Sequence, residues 1–242
     1  VTTSPRGDDR RPAPSGAARA AGSVPGVSHE ARRLDIDTPQ GPARAHLHLP
    51  AGAAPGDDGR VTVPGALVLG HGAGGGVDAP DLRAVTAAAT ALGLAVALVE
   101  QPYRVAGKRV GPRGPALDEA WTAVVADLRA RALDAPLVTG GRSAGARTAC
   151  RTALATGAVG VLCLAFPTRP PGRPDAPSRL PELEAAGVPV LVVQGTTDPY
   201  GTPPATPTRT VTEVPGDHSL KKDPQAVAAA LAAWLPTVLP VP

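Results

Sequence analysis

The pattern of hydrophobic and polar positions changes character twice along the chain. Residues 1 to about 30 carry no hydrophobic period and many Pro, Gly and Arg breakers, the pattern of a disordered segment. Two short alternating runs follow, residues 34–37 and 43–49, separated by Thr38-Pro-Gln-Gly-Pro42, and they predict a hairpin. In the second run His46 and His48 alternate with Leu47 and Leu49, which places both imidazoles on the solvent face of an edge strand. From Pro64 onward the apolar runs become short and unbroken: Ala66–Leu69, Ala95–Val99, Leu137–Thr139, Val159–Ala165, Val190–Val193 and Thr210–Val214. Such runs predict strands covered on both faces, as in a parallel sheet.

Helical faces lie between them. Leu82, Val85 and Leu92 mark one, and Leu117, Trp121, Val124, Leu128 and Leu133 a second. A last helix opens near Pro224 and runs through Val227 and Leu231 to Trp234. Strands alternating with helices predict an α/β fold with one domain over residues 33–242, and residues 1–32 as its tail.

Charge sharpens this picture by exclusion. The formal charge of +3 resides wholly in residues 1–33, where six Arg face Asp8, Asp9 and Glu30. The balanced remainder, nearly free of aromatics, argues against a nucleic-acid partner. Cys150 and Cys163 fall in predicted buried elements and read as small core hydrophobes. No run reaches the length of a membrane span and no signal-peptide pattern opens the chain, so the expected location is cytoplasmic, with no membrane partner.

Candidate chemistry centres on Gly141-Arg-Ser-Ala-Gly145, between a predicted strand and a predicted helix. That context suits a nucleophile elbow, in which Ser143 occupies a strained backbone conformation and Ala144 N–H faces a developing oxyanion. A serine needs a base, and the base an orienting acid; in this layout they follow in the order acid, then His. Asp198 follows the strand Val190–Val193, and His218, the only histidine after Ser143, follows Thr210–Val214. Asp217 is a weaker candidate acid, because neighbouring side chains diverge. The loop Gly70-His-Gly-Ala-Gly-Gly-Gly76 can supply a second oxyanion donor, Ala73, with Gly72 and Gly74 beside the substrate and His71 shaping the loop.

The same loop matches a dinucleotide fingerprint, Gly70-x-Gly72-x-x-Gly75, with Glu100 near the place of a ribose-binding acid. A nucleotide-binding (Rossmann-like) oxidoreductase is therefore a rival reading. Against it, Gly76-Val-Asp-Ala-Pro80 separates the third glycine from the helix, and a hairpin precedes the strand. A third class, a hydrolase-fold module that binds a protein partner without turnover, would carry the same sequence marks as an enzyme.

Four motifs together, Gly70-His-Gly-Ala-Gly74, Gly140-Gly-Arg-Ser-Ala-Gly-Ala-Arg147, Gln194-Gly-Thr-Thr-Asp-Pro199 and Gly216-Asp-His-Ser-Leu-Lys221, resemble a small α/β-hydrolase family related to dienelactone hydrolases. That family includes a testis-expressed protein and a subunit of the NSL chromatin complex. The resemblance implies a mostly parallel sheet of about eight strands with helices on both faces, and a triad of Ser143, Asp198 and His218. It does not imply a substrate. Ala146 replaces the usual second glycine after the elbow.

Residues 166–188, the place for a lid in this fold, are short and Pro-rich, with at most one helix at 180–186. Little or no lid, and a small open site for short esters, lactones or related acyl substrates, are expected. Arg142, Arg104, Lys108 and Arg109 bring positive charge near the mouth and could attract an anionic group. Arg147 and Arg151, one turn apart, read as solvated or paired. No metal ligands cluster and triad chemistry requires no cofactor, so none is expected.

Overall fold

In the computed structural model, which describes residues 1–2, 31–112 and 114–240, the two alternating runs form an antiparallel hairpin. Its strands are β1 (Arg32–Ile36) and β2 (Ala43–His48). The expected disordered tail lies outside the described residues except at its ends, and Arg32, assigned to it, already opens β1. Ala43, Ala45 and Leu47 are buried as alternation demands. Yet β2 also pairs with β5 (Ala95–Glu100), so among the described residues β1 forms that edge, and the edge-strand expectation for His46 and His48 is corrected. Alternation reports one wetter face; it carries no information about a free edge.

Next come β3 (Val61–Thr62), β4 (Ala66–Gly70) and α1 (Pro80–Ala91). After β5 stand α2 (Pro102–Val105), α3 (Gly114–Arg131), β6 (Leu133–Asp134), β7 (Leu137–Arg142) and α4 (Ala144–Thr152). The chain continues through β8 (Gly160–Leu164), α5 (Leu180–Glu184), β9 (Val190–Gly195), β10 (Arg209–Val214) and α6 (Pro224–Trp234). Leu133, expected on a helical face, belongs instead to β6, which pairs with β3 in a two-residue parallel ladder. Its burial is the same in either element, so hydrophobic spacing could not separate them.

Among the described residues the main sheet has eight strands in the order β1-β2-β5-β4-β7-β8-β9-β10, parallel from β5 to β10. Its central strands are buried on both faces. Ala66 and Val68 join a layer with Trp121 and Val124 of α3 and Ala146 and Ala149 of α4. Leu67 and Leu69 join the opposite layer, with Leu82 and Val85 of α1 and Leu231 and Trp234 of α6. Cys150 and Cys163 sit in the first layer, fully buried, their sulfurs 3.4 Å apart. Residues 166–188 contribute only the five-residue α5, so among the described residues no lid covers the sheet. Among the described residues no helix is long and apolar enough to cross a membrane.

Candidate active site

The carboxyl ends of β7, β9 and β10 deliver three loops to one edge of the sheet, the end where parallel α/β sheets build their sites. Ser143 stands alone between β7 and α4, with φ 51° and ψ −104°. For a residue with a side chain this conformation costs on the order of 1–3 kcal/mol, so its surroundings must impose it. They do so by close packing. A Cβ on Gly145 would lie 2.6 Å from the Gly70 oxygen, and one on Gly141 would collide with the same carbonyl. Ser143 N–H also donates to Leu164 O at 2.9 Å, fastening the turn to β8.

The three residues singled out in the sequence meet here. His218 Nε2 lies 2.9 Å from Ser143 Oγ, and His218 Nδ1 lies 2.8 Å from Asp198 Oδ2. An ionised carboxylate can only accept, so Nδ1 carries the proton and Nε2 is free to accept from the hydroxyl. The Asp198 side chain is fully buried, and Tyr200 N–H donates to its Oδ1 at 2.9 Å. Asp217 instead accepts from Ser219 N–H in an exposed turn, outside the line of hydrogen bonds.

Two neighbours escaped the sequence reading. Gln194, fully buried at the end of β9, donates from Nε2 to Asp198 Oδ2 at 2.7 Å. The Tyr200 ring lies against the His218 imidazole, centroids 4.2 Å apart. Both flank the acid in Gln194-Gly-Thr-Thr-Asp-Pro-Tyr200, so the motif itself was the available signal.

The glycine-rich loop after β4 lies beside the elbow. His71 Nδ1 donates to Gly72 O at 2.9 Å, while its Nε2 accepts from Gln101 N–H at 3.2 Å. Using both nitrogens this way requires the neutral ring, in keeping with burial that pushes its pKa down. His71 therefore shapes the loop. Ala144 opens α4, so its N–H belongs to the first turn, which lacks intrahelical acceptors. Ala73, Gly74 and Ala144 share the wall of a cavity of about 640 Å³, together with Tyr103, Val110 and Leu117.

Arg142, expected to face substrate, is engaged inside the protein. Its Nη2 donates to the His218 carbonyl oxygen at 2.7 Å, and its Nε lies 3.0 Å from Asp81 Oδ2. Gly72 also leaves room for this guanidinium: a Cβ there would stand 3.2 Å from Nη1. Asp81, in the first turn of α1, has no exposed surface, and no sequence signal separated it from an ordinary first-turn acid. Of the charges expected at the mouth, only Arg109 lines the cavity, and Arg104 hydrogen-bonds Lys108 O. Arg147 and Arg151 also reach it, already paired with Glu182 and Asp118.

The dinucleotide reading finds no matching arrangement. Helix α1 begins five residues beyond Gly75, and its first turn holds Asp81, a poor neighbour for pyrophosphate. Glu100 is engaged by Arg44 and His46 at 3.2 and 3.1 Å. Those residues line a separate groove of about 890 Å³ that contains none of the Ser143, Asp198 and His218 set.

No curated protein matches the chain in sequence. Solved structures share its fold. A serine hydrolase without a lid from Xanthomonas campestris superposes with a TM-score of 0.67 at 22% identity, over 88% of this chain and 97% of that one. Est1E from Butyrivibrio proteoclasticus, solved with ferulic acid bound, gives 0.63 at 15% identity over 85% and 98%. Dienelactone hydrolase from Anabaena variabilis gives 0.61 at 19% identity over 87% and 100%. The family model described as an alpha/beta hydrolase domain matches residues 64–227, a span that takes in Ser143, Asp198 and His218. That match covers more than half of the sequence, and the chain belongs to the α/β-hydrolase family.

Proposed function

We propose that this protein is a serine hydrolase that cleaves small esters, lactones or related acyl substrates through an acyl-enzyme on Ser143. One observation carries the reading: an unbroken line of hydrogen bonds from Asp198 through His218 to the hydroxyl of a residue held at φ 51°.

In this reading His218 Nε2 takes the Ser143 proton as Oγ attacks the carbonyl carbon. Asp198 holds the imidazole in the required tautomer and stabilises the imidazolium that forms. Ala144 N–H and Ala73 N–H receive the oxyanion, donors aimed where charge develops rather than where it rests. Collapse breaks the acyl–oxygen bond, and the leaving alkoxide takes the proton from Nε2. Water, deprotonated by the same nitrogen, then attacks the ester carbonyl and frees Ser143. In a lactone the leaving hydroxyl stays tethered to the acyl group.

The cavity beside Ala73 and Ala144 suits a short acyl group against Tyr103, Val110 and Leu117, and Arg109 on its rim suits an acidic substituent. A dienelactone hydrolase and Est1E, solved with ferulic acid bound, use the same fold, which supports this substrate range.

A fluorophosphonate probe tests the proposal directly. Wild-type protein should label, and Ser143→Ala and His218→Ala should both abolish labelling. A folded wild type that stays unlabelled would refute an activated serine and favour a partner-binding module.

A further inference from the structure

The buried ion pair beneath the elbow has no part in the chemistry above, and burying it is unfavourable. Removing two charges from water opposes folding unless their geometry and remaining hydrogen bonds compensate. Asp81 is completely buried, and its Oδ1 accepts from Leu82 N–H at 3.0 Å. Its Oδ2 faces Arg142 Nε at 3.0 Å, at an angle too poor for an aligned hydrogen bond. The guanidinium passes this anchorage on: Nη2 reaches the His218 carbonyl at 2.7 Å. Among the described residues this is the one hydrogen bond made to the His218 main chain.

Arg142 also directly precedes Ser143 in the chain. One side chain therefore ties the backbone of the nucleophile to the backbone of its base, while Asp198 controls the imidazole ring. Asp81, rooted in α1, keeps the fork from turning towards solvent. Gly72 completes the fit, since a side chain there would crowd Nη1.

We propose that Asp81 and Arg142 form a positioning strut that sets His218 against Ser143. This rests on the hydrolase reading above. Neither residue touches substrate. Their effect is on the register between hydroxyl and imidazole, where a shift of about 1 Å can cost roughly 10²-fold in rate.

The test combines acylation kinetics on a short nitrophenyl ester with crystal structures of wild type and variants. Asp81→Asn keeps the bond from Leu82 N–H but removes the counter-charge. Arg142→Lys keeps the charge but lacks the two-pronged fork. Both should lower kcat by roughly 10- to 100-fold with KM nearly unchanged, the mark of a contact that matters in the transition state. Their double variant should be hardly slower than the worse single one, because the two act as a unit. The His218 Nε2 to Ser143 Oγ separation should open beyond hydrogen-bond range. If either single variant folds poorly, Asp81→Leu with Arg142→Met replaces the pair by apolar groups and should fold while losing the same rate.

Variants with wild-type kcat, or with the imidazole still 2.9 Å from Oγ, would overturn the strut. An inert wild type would refute the hydrolase reading instead, and the crystallographic separation would still decide the strut.

Discussion

Two ion-pair systems flank Ser143, and they differ in what surrounds them. Below the elbow, Asp81 and Arg142 meet in the interior, with the carboxylate cut off from water. On the outer side of α4, Arg147 and Arg151 pair with Glu182 and Asp118, at distances down to 2.6 Å, with every side chain partly exposed. The outer geometry is the better, since Arg147 grips Glu182 with two aligned hydrogen bonds of 2.7 and 2.6 Å. The inner pair is nevertheless the harder one to disturb. Water can replace a lost partner around the outer side chains and around Arg142, but not around the fully buried Asp81, so solvent access decides the cost of a change more than distance does.

The sharpest way to break that contrast is to remove one partner from each system. Arg142→Ala leaves the fully buried Asp81 carboxylate without its counter-charge and should cost about 3–5 kcal/mol of unfolding free energy, read by urea denaturation. Glu182→Ala should cost about 1 kcal/mol or less, because its partners stay hydrated. Equal losses would mean that burial does not distinguish the two.

pH should separate them by sign. Burial raises the Asp81 pKa above its ordinary 3.8, against the pull of Arg142. The folded state therefore binds that proton more tightly than the unfolded chain. Stability from this group is fully present below the unfolded value and is lost as pH rises through the folded one. Glu182 runs the other way: burial pushes its pKa up, but Arg147 and Arg151 together hold it below the ordinary 4.5. Its contribution is present above the unfolded value and is lost as pH falls through the folded one. On acidification, the stability difference between wild type and Glu182→Gln should shrink. The difference between wild type and Asp81→Asn should move in favour of wild type. Parallel shifts in the two series would contradict this assignment.

The smallest expected effect lies at the rim. Arg109 lines the cavity in an exposed position. Arg109→Ala should raise KM for a carboxylate-bearing ester roughly two- to fivefold, the range of one exposed charge, and high salt should erase the difference. The same substitution should leave a neutral ester unaffected.

Much of this molecule is legible in its sequence. Short apolar runs between Pro64 and Val193 correspond to the inner parallel strands, because a strand covered on both faces must be apolar at every position. The run Thr210–Val214, expected to be covered likewise, forms the outermost strand β10, with Thr210 and Glu213 exposed. The strained elbow was legible too, since Gly141 and Gly145 are spaced to let β7 and α4 pass Gly70. Arg142 was not. A charged residue next to a nucleophile reads as a contact for substrate, and nothing local to it reveals a carboxylate sixty-one positions earlier. Gln194 escaped for a related reason: its role depends on a turn that brings Asp198 back over the end of β9.

By itself, then, the sequence determined the alternation of strands and helices and the three residues whose hydroxyl, imidazole and carboxylate meet. Those properties reside in short segments: hydrophobic period, glycine spacing, and residue type at a strand's end. Tertiary structure alone decided that β1 rather than β2 forms the sheet's edge, and that Arg142 turns inward to Asp81 and His218. Each of these depends on which distant segment lies alongside. A charged side chain keeps the same chemistry in water or in the interior, and only the packing around it determines which of the two it meets.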